Sequence, residues 1–258
     1  MFIPLHDANT LKHIALQYVT LGLIAANVLV YALVNFDLVA GTYEAAVYSF
    51  GYIPAVFNDF AELPPDRLVI PEELSLLSYS FLHADLLHLA GNMAFLWVFG
   101  DNVEDALGHL RFVLFFALCS VAGALAHGLV DPISTAPLIG ASGAVSGVLG
   151  AYLILHPRVM VWVLAFGRIP LRLPAAIPLA LWILYQFAAI VLLADENVSW
   201  AAHAGGALAG MLLVVVMRRR GVPLLDREIV TPDAVRTVRA TADAEPPEGQ
   251  RRRWGRMD

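Results

Sequence analysis

Gly140-Ala141-Ser142-Gly143-Ala144-Val145-Ser146-Gly147-Val148-Leu149-Gly150, continued by Ala151-Tyr152-Leu153-Ile154-Leu155, is an uncharged apolar block with a small residue at nearly every helical turn. In hydrocarbon, backbone amides must be satisfied within the segment, so such a block reads as a helix. Glycines three or four apart let a second helix approach backbone to backbone. A second block, Ala202-His203-Ala204-Gly205-Gly206 through Gly210, has the same character. The two predict a pair of closely packed membrane helices, one opening on a serine and the other on a histidine.

The rest of the chain fits that setting. Of its 258 residues 59% are hydrophobic and 15% charged, with the apolar residues in long runs. Crossing about 30 Å of hydrocarbon takes roughly 20 helical residues. Six blocks qualify: Ile14 to Asn35, Leu86 to Gly100 with a polar continuation, Phe112 to Val130, Ala141 to Leu155, Pro174 to Ala194 and Val198 to Met217. The second and fourth are short. No alternating polar and apolar strand pattern competes, so the expected fold class is all-α, a polytopic membrane bundle of six transmembrane helices. Residues 1–12 form a short N-terminal segment, 13–217 the membrane domain, and 218–258 a charged, proline-containing tail expected to be disordered. No small-residue cleavage site ends the first block, so no cleaved leader is expected.

Basic residues set the orientation. Arg111, then Arg158, Arg168 and Arg172, then Arg218, Arg219 and Arg220 border one side, whereas the long loop after the first block holds Arg67 among six acids. Both termini are expected in the cytoplasm. Basic residues border membrane helices and form no aromatic-interleaved patch, so nucleic acid is not an expected partner. The lone Cys119 lies in the third block and reads as a packed apolar residue.

This topology puts the starts of the second, fourth and sixth helices at one depth, just below the outer surface. Four polar side chains lie there: His88 and Asn92, Ser142, and His203. Polar groups inside a membrane are costly and face a bundle interior or a wet cavity. Taken singly, Ser142 reads as helix-packing glue, His203 as a proton-relay residue and Asn92 as an interhelical hydrogen bond; their shared level points to a site. Ser146, one turn deeper, and His127 read as structural. A serine hydroxyl needs a base to become a nucleophile, and histidine suits that task near neutrality. Gly140, Gly143, Gly206 and Gly210 would let the two helices close until the imidazole reaches the hydroxyl. No acid is placed to orient the base, so the inference is a Ser-His dyad. His88 and Asn92, four apart on one helix face, would assist the Ser142 N–H in stabilising an oxyanion. No H-E-x-x-H zinc motif is present, and no metal or cofactor is expected.

These residues resemble the rhomboid family. His83-Ala84-Asp85-Leu86-Leu87-His88-Leu89-Ala90-Gly91-Asn92-Met93 looks like its second-helix signature, Gly140-Ala141-Ser142-Gly143 like its GxSG nucleophile motif, and Ala202-His203 with Gly206 and Gly210 like its final histidine helix. The resemblance covers roughly residues 13 to 217. It implies an intramembrane serine endopeptidase cutting single-pass membrane proteins at small residues near the extracytoplasmic face. Ser142 would be the nucleophile, His203 base and then acid, and His83 structural. Two departures stand out. Many rhomboids carry a Trp-Arg pair in the first loop where this chain reads Leu74-Ser75-Leu76-Leu77, and Ser146 occupies the place of a frequent aromatic one turn after the nucleophile. A bacterial inner membrane is the expected location. Two alternatives stay open, a non-catalytic relative that binds membrane clients and a small channel. The first would be expected to lose nucleophile or base, and the second to show paired repeats with polar residues at the midplane. Oligomeric state leaves no readable mark.

Overall fold

The computed structural model describes residues 2–36, 41–192 and 199–226. Asp195 and Glu196, the start of the sixth block at Val198 and the tail beyond Asp226 lie outside the described residues. In chain order the elements are β1 (Phe2–Asp7), α1 (Tyr18–Asn35), α2 (Thr42–Phe50), α3 (Pro54–Phe57), α4 (Glu72–Ser78), a 3-10 turn (Tyr79–Phe81), α5 (Leu86–Leu107), α6 (His109–Val130), α7 (Ser142–Leu155), β2 (Met160–Ala165), β3 (Ile169–Pro174), α8 (Ala176–Leu192) and α9 (Trp200–Met217).

Each apolar block contains a helix, and the described residues are mostly helical. Among the described residues α1, α6 and α9 are long and apolar enough to cross a membrane. The apolar helices α7 and α8 have 14 and 17 residues. The 22-residue α5 carries Asp101, Glu104 and Asp105 in its last turns. By length and composition, three of the six helices qualify as spans.

The all-helical expectation is corrected by a three-stranded antiparallel sheet in the order β1-β2-β3. β1 runs against β2 from Phe2↔Ala165 to Asp7↔Val161, with an irregularity between Pro4 and His6, and β2 against β3 from Met160↔Pro174 to Ala165↔Ile169. Val161 and Val163 turn inward and are buried, whereas Trp162 between them is 43% exposed. This is the period of two of a strand. The alternation is hard to read because each strand is six residues long, and Arg158, Arg168 and Arg172 around β2 and within β3 read as a loop.

The core is built around α7, in which every residue from Gly143 to Tyr152 is buried. Its partner is α9. A Cβ added at Gly206 would fall on the Gly143 carbonyl, one at Gly210 on the Gly147 carbonyl, and one at Gly150 on the Ala207 carbonyl. The two helices therefore meet backbone to backbone, as the small-residue spacing predicts.

The polar end of α5 holds the N-terminal part of the chain. Asp105 accepts from the N–H groups of Lys12, His13 and Ile14 at 3.0, 2.6 and 2.7 Å. Glu104, fully buried, accepts from Val19 N–H at 3.0 Å and from Thr20 N–H and Oγ1–H at 2.8 and 2.7 Å. These are orphan donors at the start of α1, capped from another helix. Residues 14–17 are thus used as a non-helical approach, and α1 begins at Tyr18 and not at Ile14. Nearby, the Asp7 carboxylate accepts from Tyr152 Oη–H at 2.6 Å and Asn102 Nδ2–H at 2.9 Å. Burial pushes the Asp7 carboxyl up to about 6.

The loop after α1 is folded. Tyr52 and Leu138 exchange backbone hydrogen bonds of 3.1 and 2.8 Å, and Ser78 Oγ–H donates to the Phe50 carbonyl at 2.6 Å. These contacts anchor the first loop without the Trp-Arg pair.

Gly206→Ala should cost ~2 kcal/mol or more, because its Cβ meets backbone that cannot yield. Gly91→Ala, whose Cβ meets nothing within 4 Å, should change stability by under about 1 kcal/mol. Thermal unfolding in detergent measures both. For Asp7, the folded state binds a proton below about pH 6 whereas the free carboxyl does so only near 3.8. Its contribution to stability therefore rises as pH falls through 6. Asp7→Asn should be stabilised over the wild type at about pH 7.5, with the difference shrinking toward about pH 4.5; a pH-independent difference would count against this.

Candidate active site

The turn into α7 is held from two sides. Gly140 has φ +121°, a conformation closed to most side chains, and its N–H donates to the Tyr79 carbonyl at 3.0 Å. Ala141 N–H points at His83 Nε2 from 3.5 Å. His83 is buried at 1% exposure in the loop before α5, and burial, with His88 beside it, pushes its pKa down to about 4, so the ring is neutral. His83 thus contacts the turn into α7. Ser142 follows as the first residue of α7, half-buried, with its N–H at the positive end of the helix dipole. Ser146 Oγ–H donates to the Ser142 carbonyl at 2.5 Å, a structural role.

His88 reaches this turn from the first turn of α5, whose start is capped by Asp85 Oδ1 accepting from His88 N–H at 2.8 Å. A Cβ at Gly140 would lie 2.6 Å from His88 Cε1 and 2.7 Å from Nε2. Glycine is thus required at 140 twice, for its φ and for the space the imidazole fills. Asn92, one turn along the same face and buried, donates one Nδ2–H to the His88 carbonyl at 3.2 Å, leaving its second N–H uncommitted to that bond.

His203 stands in the first turn of α9. Ser199 Oγ caps that helix by accepting from Ala202 N–H at 3.2 Å and contacts His127 Nδ1 at 2.8 Å, so His127 secures the helix start. The Ala202 carbonyl lies 3.6 Å from a Cβ built on Gly143. The immediate neighbours of His203 and Ser142 are therefore packed against each other. Among the described residues the Ser142 hydroxyl and the His203 ring form no direct hydrogen bond. His203 Nδ1 is instead 2.8 Å from Gln186 Oε1, and the ring contacts Trp182, at 5.8 Å and 31° between planes, and Trp200, at 6.2 Å and 86°.

Sequence reasoning missed Gln186, Trp182 and Tyr79. The available signal for Gln186 was a lone amide within the apolar α8. Trp182 takes up contact with the histidine where Ser146 cannot. Tyr79 Oη–H donates to the Ser120 carbonyl at 2.9 Å while its own carbonyl holds Gly140. Among the described residues no three His, Cys, Asp or Glu side chains come together to hold a metal ion. The site offers a hydroxyl at a helix N-terminus, an imidazole with one nitrogen occupied, and a further imidazole and amide. These are the groups acyl transfer uses.

The "Rhomboid domain" family model matches residues 71–220. "Rhomboid protein 1, mitochondrial" of Saccharomyces cerevisiae is 27% identical over 152 residues, 55% of this chain and 41% of the relative. "Rhomboid-related protein 2" of Mus musculus is 33% identical over 141 residues, 52% of this chain and 45% of the relative. "Rhomboid protease GluP" of Bacillus subtilis is 40% identical over 78 residues, 30% of this chain and 15% of the relative. The matched part of the chain spans less than half the length of these curated relatives. The family match takes in α4 to α9, the glycine contact between α7 and α9 and all four polar side chains at their starts, and by it this chain belongs to the rhomboid family.

Proposed function

We propose that this protein is an intramembrane serine endopeptidase that cuts single-pass membrane proteins near the extracytoplasmic face with a Ser142/His203 dyad. The observation that carries the reading is the packing of Ala202 against Gly143, which brings the starts of α9 and α7 to one level. Membership of a family with a relative named a rhomboid protease adds to it. In this reading α1, α5, α6, α7, α8 and α9 all cross a bacterial inner membrane, with both termini in the cytoplasm, membrane lipid around the helices and no cofactor.

A substrate helix enters laterally and unwinds, because an amide inside an intact helix is hydrogen-bonded and shielded. Ser142 Oγ attacks the exposed carbonyl as His203 Nε2 takes its proton. The hydroxyl and the ring close their hydrogen bond when substrate is bound, since catalytic contacts are often long in empty sites. The oxyanion is met by Ser142 N–H, the second Nδ2–H of Asn92 and the His88 ring. His203 then protonates the leaving amine, and water from the outer face releases the acyl group.

Ser142→Ala should abolish both cleavage of a model single-pass substrate in proteoliposomes and labelling by a fluorophosphonate, with thermal stability unchanged. Undiminished cleavage by this variant would end the protease reading, and a wild type that binds substrate but takes no label would leave a client-binding role. Asn92→Ala should lower kcat by about 100-fold with KM nearly constant, the signature of a contact made only in the transition state.

A further inference from the structure

We infer that Gln186 of α8 is a positioning residue for the base: its side-chain carbonyl holds His203 in the tautomer protonated at Nδ1, leaving the lone pair on Nε2. The inference rests on the reading of His203 as the base.

The orientation of the Gln186 amide follows from its second partner. One end lies 3.1 Å from the Trp182 carbonyl, which can only accept, so that end is the NH2 group. The other end, 2.8 Å from His203 Nδ1, is then the carbonyl oxygen. An acceptor at that distance requires a donor, so Nδ1 carries the hydrogen. A neutral imidazole has one N–H, and Nε2 is therefore unprotonated and able to take a proton from a hydroxyl. Gln186 is 1% exposed, so water does not compete for either end. Trp182 acts twice, fixing the amide through its carbonyl and resting its ring against the imidazole. Trp200 also meets the imidazole, edge-on.

An amide performs here the orienting part of what a carboxylate does in a triad, without a buried negative charge. Among the described residues it is Gln186, and not an acid, that meets His203 Nδ1. The proton moved in the reaction still passes only between Ser142 Oγ and His203 Nε2; Gln186 gains and loses nothing.

The test uses the full-length protein in lipid nanodiscs with 15N-labelled histidine, read by NMR at a pH where His203 is neutral, beside cleavage of a single-pass substrate. The wild type should give His203 with Nδ1 protonated and Nε2 bare. Gln186→Met, which keeps length but not the acceptor, should lose that preference and lower kcat at least about tenfold, with KM within about twofold of the wild type. Gln186→Glu, which restores an acceptor, should recover the tautomer and most of kcat. A wild-type ring protonated at Nε2 overturns the inference whatever the variants do. So does a Met variant with normal kcat, or a Glu variant no better than Met. If Ser142→Ala cleaves as well as the wild type, the protease reading fails while the wild-type spectrum still reports the tautomer, so the two failures are told apart.

Discussion

The rest of this molecule depends on the contact between the α7 and α9 backbones. With Gly206 on the Gly143 carbonyl and Gly210 on the Gly147 carbonyl, the two helices touch backbone to backbone with no room for a side chain between them. Between helices in lipid no hydrophobic force is available, and close van der Waals contact over a long seam is what holds them. The seam fixes rotation as well as distance, since turning either helix would drive a side chain into the other's carbonyls. Fixed rotation puts the first turn of each helix, and with them Ser142 and His203, in a defined relation. The glycines are thus the frame on which Ser142 and His203 are hung.

Polar groups divide into two sets at opposite ends of the helices. At one end His83 and His88 meet the turn at Gly140 and Ala141, Asn92 lies a helical turn from His88, and Ser142 and His203 stand in the first turns of α7 and α9. At the other, Asp7, Asn102, Glu104 and Asp105 meet Tyr152 and the backbone donors of residues 12–20. The second set is architectural. Two adjacent carboxylates satisfy N–H groups that α1 and its approach would otherwise leave bare, a function ordinarily performed by a residue of the helix's own sequence. Between the two sets lies an apolar layer of Leu96, Phe99, Val148 and Leu149, all buried.

Much of this was legible in the sequence for a physical reason. A helix in lipid must be built from one continuous run, so each apolar block declares itself, and small residues three and four apart declare a seam. His88, Asn92, Ser142 and His203 stand out near the helix starts because a polar group in an apolar run is conspicuous. Gln186 escaped because it stands midway along α8, where depth alone does not connect it to His203; only the packing of α8 against α9 does. The sheet escaped because its partners are distant in sequence and each strand is too short to show its alternation against the hydrophobic blocks. The start of α1 was misjudged because its cap comes from Glu104, which no local pattern around Tyr18 reveals.

That sheet has a bearing on assembly. β1 pairs with β2, so Phe2 finds its partner at Ala165, after α1 to α7 have intervened. Pairing so distant in the chain is slow and must wait for the later strand to emerge from the ribosome. Until then the early strand has an open edge and α5 beside it, where Asn102 donates to Asp7 and Phe95 packs on Phe2. Once closed, the three strands tie the segment ahead of α1 to the link between α7 and α8, like a clasp fastened when the garment is already on.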